Sequence, residues 1–152
     1  MSNQYIAFWN VENLFAPADH PGRIDWVREQ VSGDLDGWTA ELYNLKLDQV
    51  ASIVKKMNDG RGHDILGLCE IEDKRVLDDL IEKLNEALPS RNMSAIHATA
   101  DLSFRGIDTA FIYDSSKFSV DERLVFNHFV MRRTGTRDIL QATFKTVESR
   151  KE

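Results

Sequence analysis

Asp64-Ile65-Leu66-Gly67-Leu68-Cys69 is a nearly unbroken apolar run of strand length, and the acidic cluster Glu70, Glu72, Asp73 begins where it ends. Continuous rather than alternating hydrophobicity marks a strand covered on both faces, the kind that α/β sheets bury beneath helices. Upstream, Thr39 is placed to cap a helix in which Tyr43, Leu47, Val50, Val54 and Met57 recur at alternating spacings of four and three, and Asp59-Gly60 stops it. Before that helix, Tyr5-Ile6-Ala7-Phe8-Trp9 reads as a buried first strand closed by Asn10. Strand, helix, strand in that order implies a parallel crossover. The stretch 16–38 holds two of the three prolines, three of the eight glycines and several Asp, so it reads as a long loop with no more than a turn of helix at Trp26 to Gln30.

Downstream, Leu77, Leu80, Ile81, Leu84 and Leu88 mark one side of a second helix running from about Asp73 until Pro89 ends it. The period then changes. Residues 92–98, 107–114, 118–130 and 138–147 are rich in β-formers and alternate in places, as in Ile139, Gln141, Thr143, Lys145 and Val147, so they read as sequential antiparallel strands. The fold class is α/β.

The 152 residues, 42% hydrophobic and 29% charged, are enough for one domain with a buried core and lie far from disordered compositions. The N-terminal residues lack the pattern of a secretory signal and no apolar run approaches a membrane span, so a cytoplasmic protein with no membrane partner is expected. A single cysteine, Cys69, excludes an internal disulfide and a cysteine-based zinc site, and its place in an apolar strand suits a buried small hydrophobe. The net charge of −6 is uneven: residues 1–101 carry 10 basic and 18 acidic side chains, residues 102–152 carry 9 and 7. Any grip on nucleic acid would belong to the second part.

Ligands gather where strands emerge from helix-covered sheets, which singles out Asn10, Glu12, Glu70 and Glu72. Amide and carboxylate oxygens are hard donors. Magnesium takes only one or two carboxylates and fills its octahedron with water and phosphate, so two protein ligands could suffice. The same pattern also fits an Asn that caps a turn and a solvated Glu that starts a loop. Asp108, in Arg105-Gly106-Ile107-Asp108, opens a hydrophobic strand where a bare carboxylate is costly, and Arg105 is its obvious partner, in either a structural pair or a substrate site. His20, His63, His97 and His128 fall at no zinc spacing, and Arg132, Arg133 and Arg137 cluster in an expected turn.

Four stretches now resemble a known family. Phe8-Trp9-Asn10-Val11-Glu12-Asn13-Leu14-Phe15, Asp64-Ile65-Leu66-Gly67-Leu68-Cys69-Glu70, Arg105-Gly106-Ile107-Asp108-Thr109-Ala110-Phe111-Ile112-Tyr113 and Thr136-Arg137-Asp138-Ile139-Leu140 look, in order, like the N-terminal half of the endonuclease/exonuclease/phosphatase family. The resemblance implies a four-layer α/β sandwich, two mixed and mainly antiparallel sheets with helices outside, that cleaves phosphoester bonds with magnesium or manganese. Residues 1–152 would be the N-terminal half of one such domain, incomplete without its C-terminal half. By the same resemblance Asn10 and Glu70 help hold the metal, Glu12 stands beside them so that Glu12 and Glu70 form the catalytic carboxylates, and Arg137 contacts phosphate; Arg105 and Asp108, from their own chemistry, are the expected substrate-side residues.

Three departures qualify the match. Cys69 stands where the family commonly has Gln, and Glu72 where some DNA-cutting members have Arg or Lys, so a further negative charge is expected to face the phosphate approach. The family's Gly-Asp-x-Asn and closing Ser-Asp-His segments have no match, and Asn127-His128, which imitates an Asn-His motif, precedes Thr136-Arg137-Asp138 instead of following it. Those late segments carry the family's base machinery. The expectation is therefore part of a magnesium-dependent hydrolase, inactive or nearly so alone, with unpaired sheet edges and an uncovered apolar face. Its partners would be a phosphoester substrate, with nucleic acid not favoured by the charge, and the missing half or a second chain, a dimer included. The alternative is a non-catalytic binding or dimerisation module built from the fold's first half.

Overall fold

In the computed structural model, which describes residues 3–98, 106–130 and 138–147, strand β1 (Ile6–Leu14) lies parallel to β2 (Ile65–Ile71), with Ile6 opposite Ile65 and Asn10 opposite Cys69. The parallel crossover is made by helix α2 (Ala40–Gly60). Thr39 caps it, its side-chain oxygen accepting the N–H of Leu42 at 3.3 Å. The regular helix ends before Met57, which is already extended at ψ 153°, and Asn58 and Asp59 then turn into the left-handed region at φ 52° and 56°. Asp73 caps α3 (Lys74–Ala87) by accepting the Val76 N–H at 2.9 Å.

Strands β3 (Met93–His97) and β4 (Asp108–Asp114) complete a four-stranded sheet of order β1-β2-β4-β3, in which β4 is antiparallel to both neighbours. Helices α2 and α3 cover one face of it. Leu47, Val50 and Val54 of α2 and Leu77, Leu80 and Leu84 of α3 pack with Leu66, Leu68 and Ile112 in one buried cluster.

The other face is only partly covered. The expected strand 118–130 is two short strands, β5 (Phe118–Val120) and β6 (Phe126–His128), separated by a 3₁₀ turn at Glu122–Leu124. Asp121 makes that break by accepting the N–H of Arg123 at 3.1 Å, a local bond that competes with strand pairing. The expected strand 138–147 likewise divides into β7 (Ile139–Gln141) and β8 (Phe144–Thr146), which pair antiparallel with β6 and β5. Phe144 meets the rings of Phe111 and Tyr113 edge-on at centroid distances of 5.5 and 5.4 Å, fastening β8 over β4. The described residues thus form a mixed α/β fold of one four-stranded sheet, two two-stranded ladders and covering helices.

The first strand departs from its expected burial. As the edge strand of the sheet, β1 leaves Ile6 68% and Phe8 72% exposed on the face away from the helices. Gly67, level with Phe8 on one side and Phe111 on the other, is needed for this arrangement: a Cβ there would lie 2.7 Å from Phe8 Cδ2.

The long segment 16–38 is also more ordered than a loop. Short helix α1 (Asp25–Gln30) and the residues around it bury Val27, Val31 and Leu35 against Phe15 and Ile107 in a second small core, with Trp38 packed on its border. The Trp38 indole N–H donates to the Phe15 carbonyl at 3.0 Å. Among the described residues, no helix is long and apolar enough to cross a membrane.

Candidate metal and phosphate site

The ladder between β1 and β2 breaks where the candidate ligands begin. Asn10 lies opposite Cys69 and Leu14 opposite Ile71, so three residues of β1, Val11 to Asn13, span the interval that Glu70 alone spans in β2. The β2–β4 ladder jumps at the same place, from Cys69–Thr109 to Ile71–Asp108. Glu70 is therefore a bulge residue against both neighbours, a device that re-aims one side chain and ends the regular alternation.

The local backbone is strained. Glu12, Asn13 and Glu70 sit at φ 54°, 55° and 72°, the left-handed region in which a non-glycine residue costs on the order of 1–3 kcal/mol. Side chains hold it there. Asn10 Oδ1 accepts the N–H of Glu12 at 2.8 Å, and Glu70 Oε2 accepts the N–H of Asn13 at 3.0 Å. From α2, the Lys46 ammonium donates to the Glu12 carbonyl and to the Asn13 carbonyl, the latter at 3.4 Å. Its Nζ lies 5.8 Å from the centre of the Trp38 ring. Burial pulls the Lys46 pKa down, and the Glu12 and Glu70 carboxylates act against that shift.

Lys46 was invisible as a site residue in the sequence, although it lies three positions after Tyr43 and one before Leu47, on the border of the buried stripe of α2. A lysine at such a border can run its stem along apolar surface toward a fixed place.

Glu72 behaves otherwise than expected. It does not face a phosphate approach: it is 9% exposed and forms an ion pair with Arg23, Nε to Oε1 at 2.5 Å and Nη2 to Oε2 at 2.8 Å. Glu72 Oε2 also accepts the Ala16 N–H at 2.6 Å, while Arg23 Nη2 donates to the Ala16 carbonyl at 2.9 Å. The segment 16–38 folds its one buried arginine onto the β2–α3 connection, so the charge of Glu72 is neutralised where it stands. Cys69 is half-buried and not fully enclosed, since it lies on the less covered face beside Asn10.

Asp108 opens β4 opposite Ile71, the residue after Glu70, and is buried at 7% exposure. Arg105 and Arg137, like Arg132 and Arg133, lie outside the described residues. The histidines have other company: His20 Nε2 bonds Asp73 at 2.8 Å and His128 Nε2 bonds Gln141 at 2.7 Å. His63 is wholly buried, just before β2 begins, and His97 lies on β3, two strands from β2.

The donors fit one kind of ion. Among the described residues no three His, Cys, Asp or Glu side chains stand together as a metal cage, which does not match zinc or an all-protein calcium site. An amide oxygen and a carboxylate at one sheet end, each already oriented by a backbone N–H, do suit magnesium or manganese, which retain water and borrow substrate oxygens.

Neither the curated proteins nor the solved structures contain a significant match to this chain. A family model described as the endonuclease/exonuclease/phosphatase family matches residues 5–150, nearly the whole length. That span includes the strained turn after Asn10, the bulge at Glu70 and the opening of β4, and the chain belongs to the endonuclease/exonuclease/phosphatase family.

Proposed function

We propose that this chain supplies the metal-holding part of a magnesium- or manganese-dependent phosphoester hydrolase. The family match supports the reaction class, and one observation carries the site: parallel strands β1 and β2 end together, with Asn10 and Glu70 one register step apart and both engaged with the same strained turn. A divalent ion bound there would polarise a phosphoryl oxygen and offset the negative charge that develops during displacement.

The chain's own residues then have distinct tasks. Asn10 Oδ1 and the Glu70 carboxylate offer the oxygens, and Glu12 adds negative potential from within the turn. Asp108, one strand over, shapes the substrate side with Arg105 as its partner in the sequence, and Arg137 is a phosphate contact by family resemblance alone. The general base that hydrolysis needs lies in this reading outside the chain, in a C-terminal half or a second polypeptide. With Glu72 paired to Arg23, the case against a nucleic-acid substrate rests only on net charge.

Hydrolysis of bis(4-nitrophenyl) phosphate with Mg2+ or Mn2+ tests the reading. The 152-residue chain should stay near the buffer rate, and a longer gene product or two-chain assembly should turn over and lose that turnover in Glu70→Gln. Metal-dependent turnover by the chain alone would overturn the external base, and an assembly indifferent to Glu70→Gln would overturn the metal site.

The alternative, a non-catalytic interaction module, is favoured by the open apolar face of β1, where Ile6 and Phe8 are 68% and 72% exposed. A stable dimer that covers Phe8, with no metal binding, would favour this reading over the first.

A further inference from the structure

Lys46 stands outside every role assigned by the family pattern, yet it reaches from helix α2 to the backbone of the candidate site. Its ammonium donates to two successive carbonyls, Glu12 and Asn13. Both belong to residues in left-handed conformation, where the β1–β2 register is broken, and the Asn13 carbonyl also accepts the Phe15 N–H at 3.0 Å. The N–H groups of the same two residues are held by Asn10 and Glu70. The turn is thus held on its carbonyl side by the Lys46 ammonium, joined at Asn13 by the Phe15 N–H, and on its amide side by the two candidate ligands. Lys46 reaches it from the second turn of α2, half-buried and beside Trp38.

We infer that Lys46 is a positioning residue of this site, holding the Glu12–Asn13 turn in its left-handed form so that Asn10 and Glu70 keep the orientation in which they can share a divalent ion. The metal part of this inference rests on the proposed function, while the turn-holding part does not.

Two simpler roles make opposite forecasts. A lysine lying idly along the surface would leave the turn unchanged when removed. A lysine serving only as counter-charge for Glu12 and Glu70 would, on removal, leave more negative potential at the site and strengthen cation binding. A positioning lysine does the reverse: its loss frees a strained turn, Glu70 loses a fixed partner, and cation binding weakens although a positive charge has gone.

The test uses the whole chain, with Lys46→Met and Lys46→Arg. Amide hydrogen exchange by NMR, without metal, reads the turn, and Mn2+ titration followed by the paramagnetic resonance of the free ion reads the site. In Lys46→Met the Asn13 amide should exchange at least about tenfold faster and Mn2+ binding should weaken by about tenfold, the lower end of what loss of a ligand-orienting group costs. Lys46→Arg, whose guanidinium presents several donors, should recover most of both. If Lys46→Met does not fold, Lys46→Gln, which keeps bulk and a donor but no charge, serves for the same comparison.

Unchanged Asn13 exchange would overturn the inference, and so would Mn2+ binding that is equal or tighter in Lys46→Met. A wild-type chain that binds no Mn2+ while Lys46→Met still exposes the Asn13 amide would uphold the turn-holding role and remove the metal reading, so the two failures are distinguishable.

Discussion

The Asn13 N–H donates to the Glu70 carboxylate at 3.0 Å across 57 residues of sequence, tying the strained end of β1 to the bulge of β2. Removing the acceptor leaves a half-buried amide without its partner, which costs about 1–2 kcal/mol. Glu70→Ala should therefore lower stability by about that much, and Glu70→Gln, which retains an oxygen acceptor, by well under about 1 kcal/mol. Urea unfolding without metal checks it. Equal losses in the two variants would mean that the charge of Glu70, and not its hydrogen bond, supports the turn.

Arg23 and Glu72 form a pair buried on both sides, with side chains 0% and 5% exposed. Arg23→Met should destabilise by about 3–5 kcal/mol, because it strands a carboxylate in the interior. Adding Glu72→Gln removes the stranded charge and keeps an acceptor for the Ala16 N–H, so the double variant should be more stable than Arg23→Met alone. Additive losses would contradict the pairing.

His63 has neither ring nitrogen hydrogen-bonded and is held neutral: burial, aided by the Arg91 charge, pulls its pKa from 6.5 to about 4. The unfolded chain takes up a proton below pH 6.5 that the folded chain refuses until about pH 4, so stability falls with pH through that window. The loss is at most about 1.4 kcal/mol per pH unit. Burial shifts His97 in the same direction. Asp64 acts lower: burial raises its pKa, but bonds from Lys117, the Tyr5 amide and Arg91 outweigh it and hold it at about 2, so its contribution is lost only below 3.8. Urea midpoints at pH 7 and pH 5 should drop less in His63→Leu than in the wild type, and an identical drop would assign the pH dependence elsewhere.

Gly106 turns at φ 60° and brings its α-carbon against Val27, whose Cγ1 would lie 2.4 Å from an added Cβ. Gly106→Ala should cost about 1–3 kcal/mol, while Gly33→Ala, with nothing within 4 Å, should fall within about 0.5 kcal/mol of the wild type. Comparable thermal shifts for the two variants would contradict the packing of β4's entry against α1.

How much of this was legible in the sequence follows from what each feature depends on. Periodicity exposed α2, α3 and the β1-α2-β2 crossover, because each buries a stripe that recurs at fixed spacing. It failed at β1, whose apolar run predicts burial, whereas its edge position leaves Ile6 and Phe8 open. It failed again at Asp121 and in segment 16–38, where single side-chain bonds and a small second core decide the path. Asn10 and Glu70 were visible as polar residues ending apolar runs. The Arg23–Glu72 pair was not, since its members are 49 residues apart and nothing local announces either. Lys46 left only the weak signal of a cation beside a buried helical stripe.

The central claim is that Asn10 and Glu70 hold one divalent ion, and Mn2+ broadening of backbone amide signals tests it most directly. Substoichiometric Mn2+ should broaden the amides of Asn10 to Asn13 and of Glu70 and Ile71 first, excess Mg2+ should restore them, and Glu70→Gln should abolish the effect at the same concentration. Broadening centred elsewhere, or unchanged in Glu70→Gln, would contradict the claim.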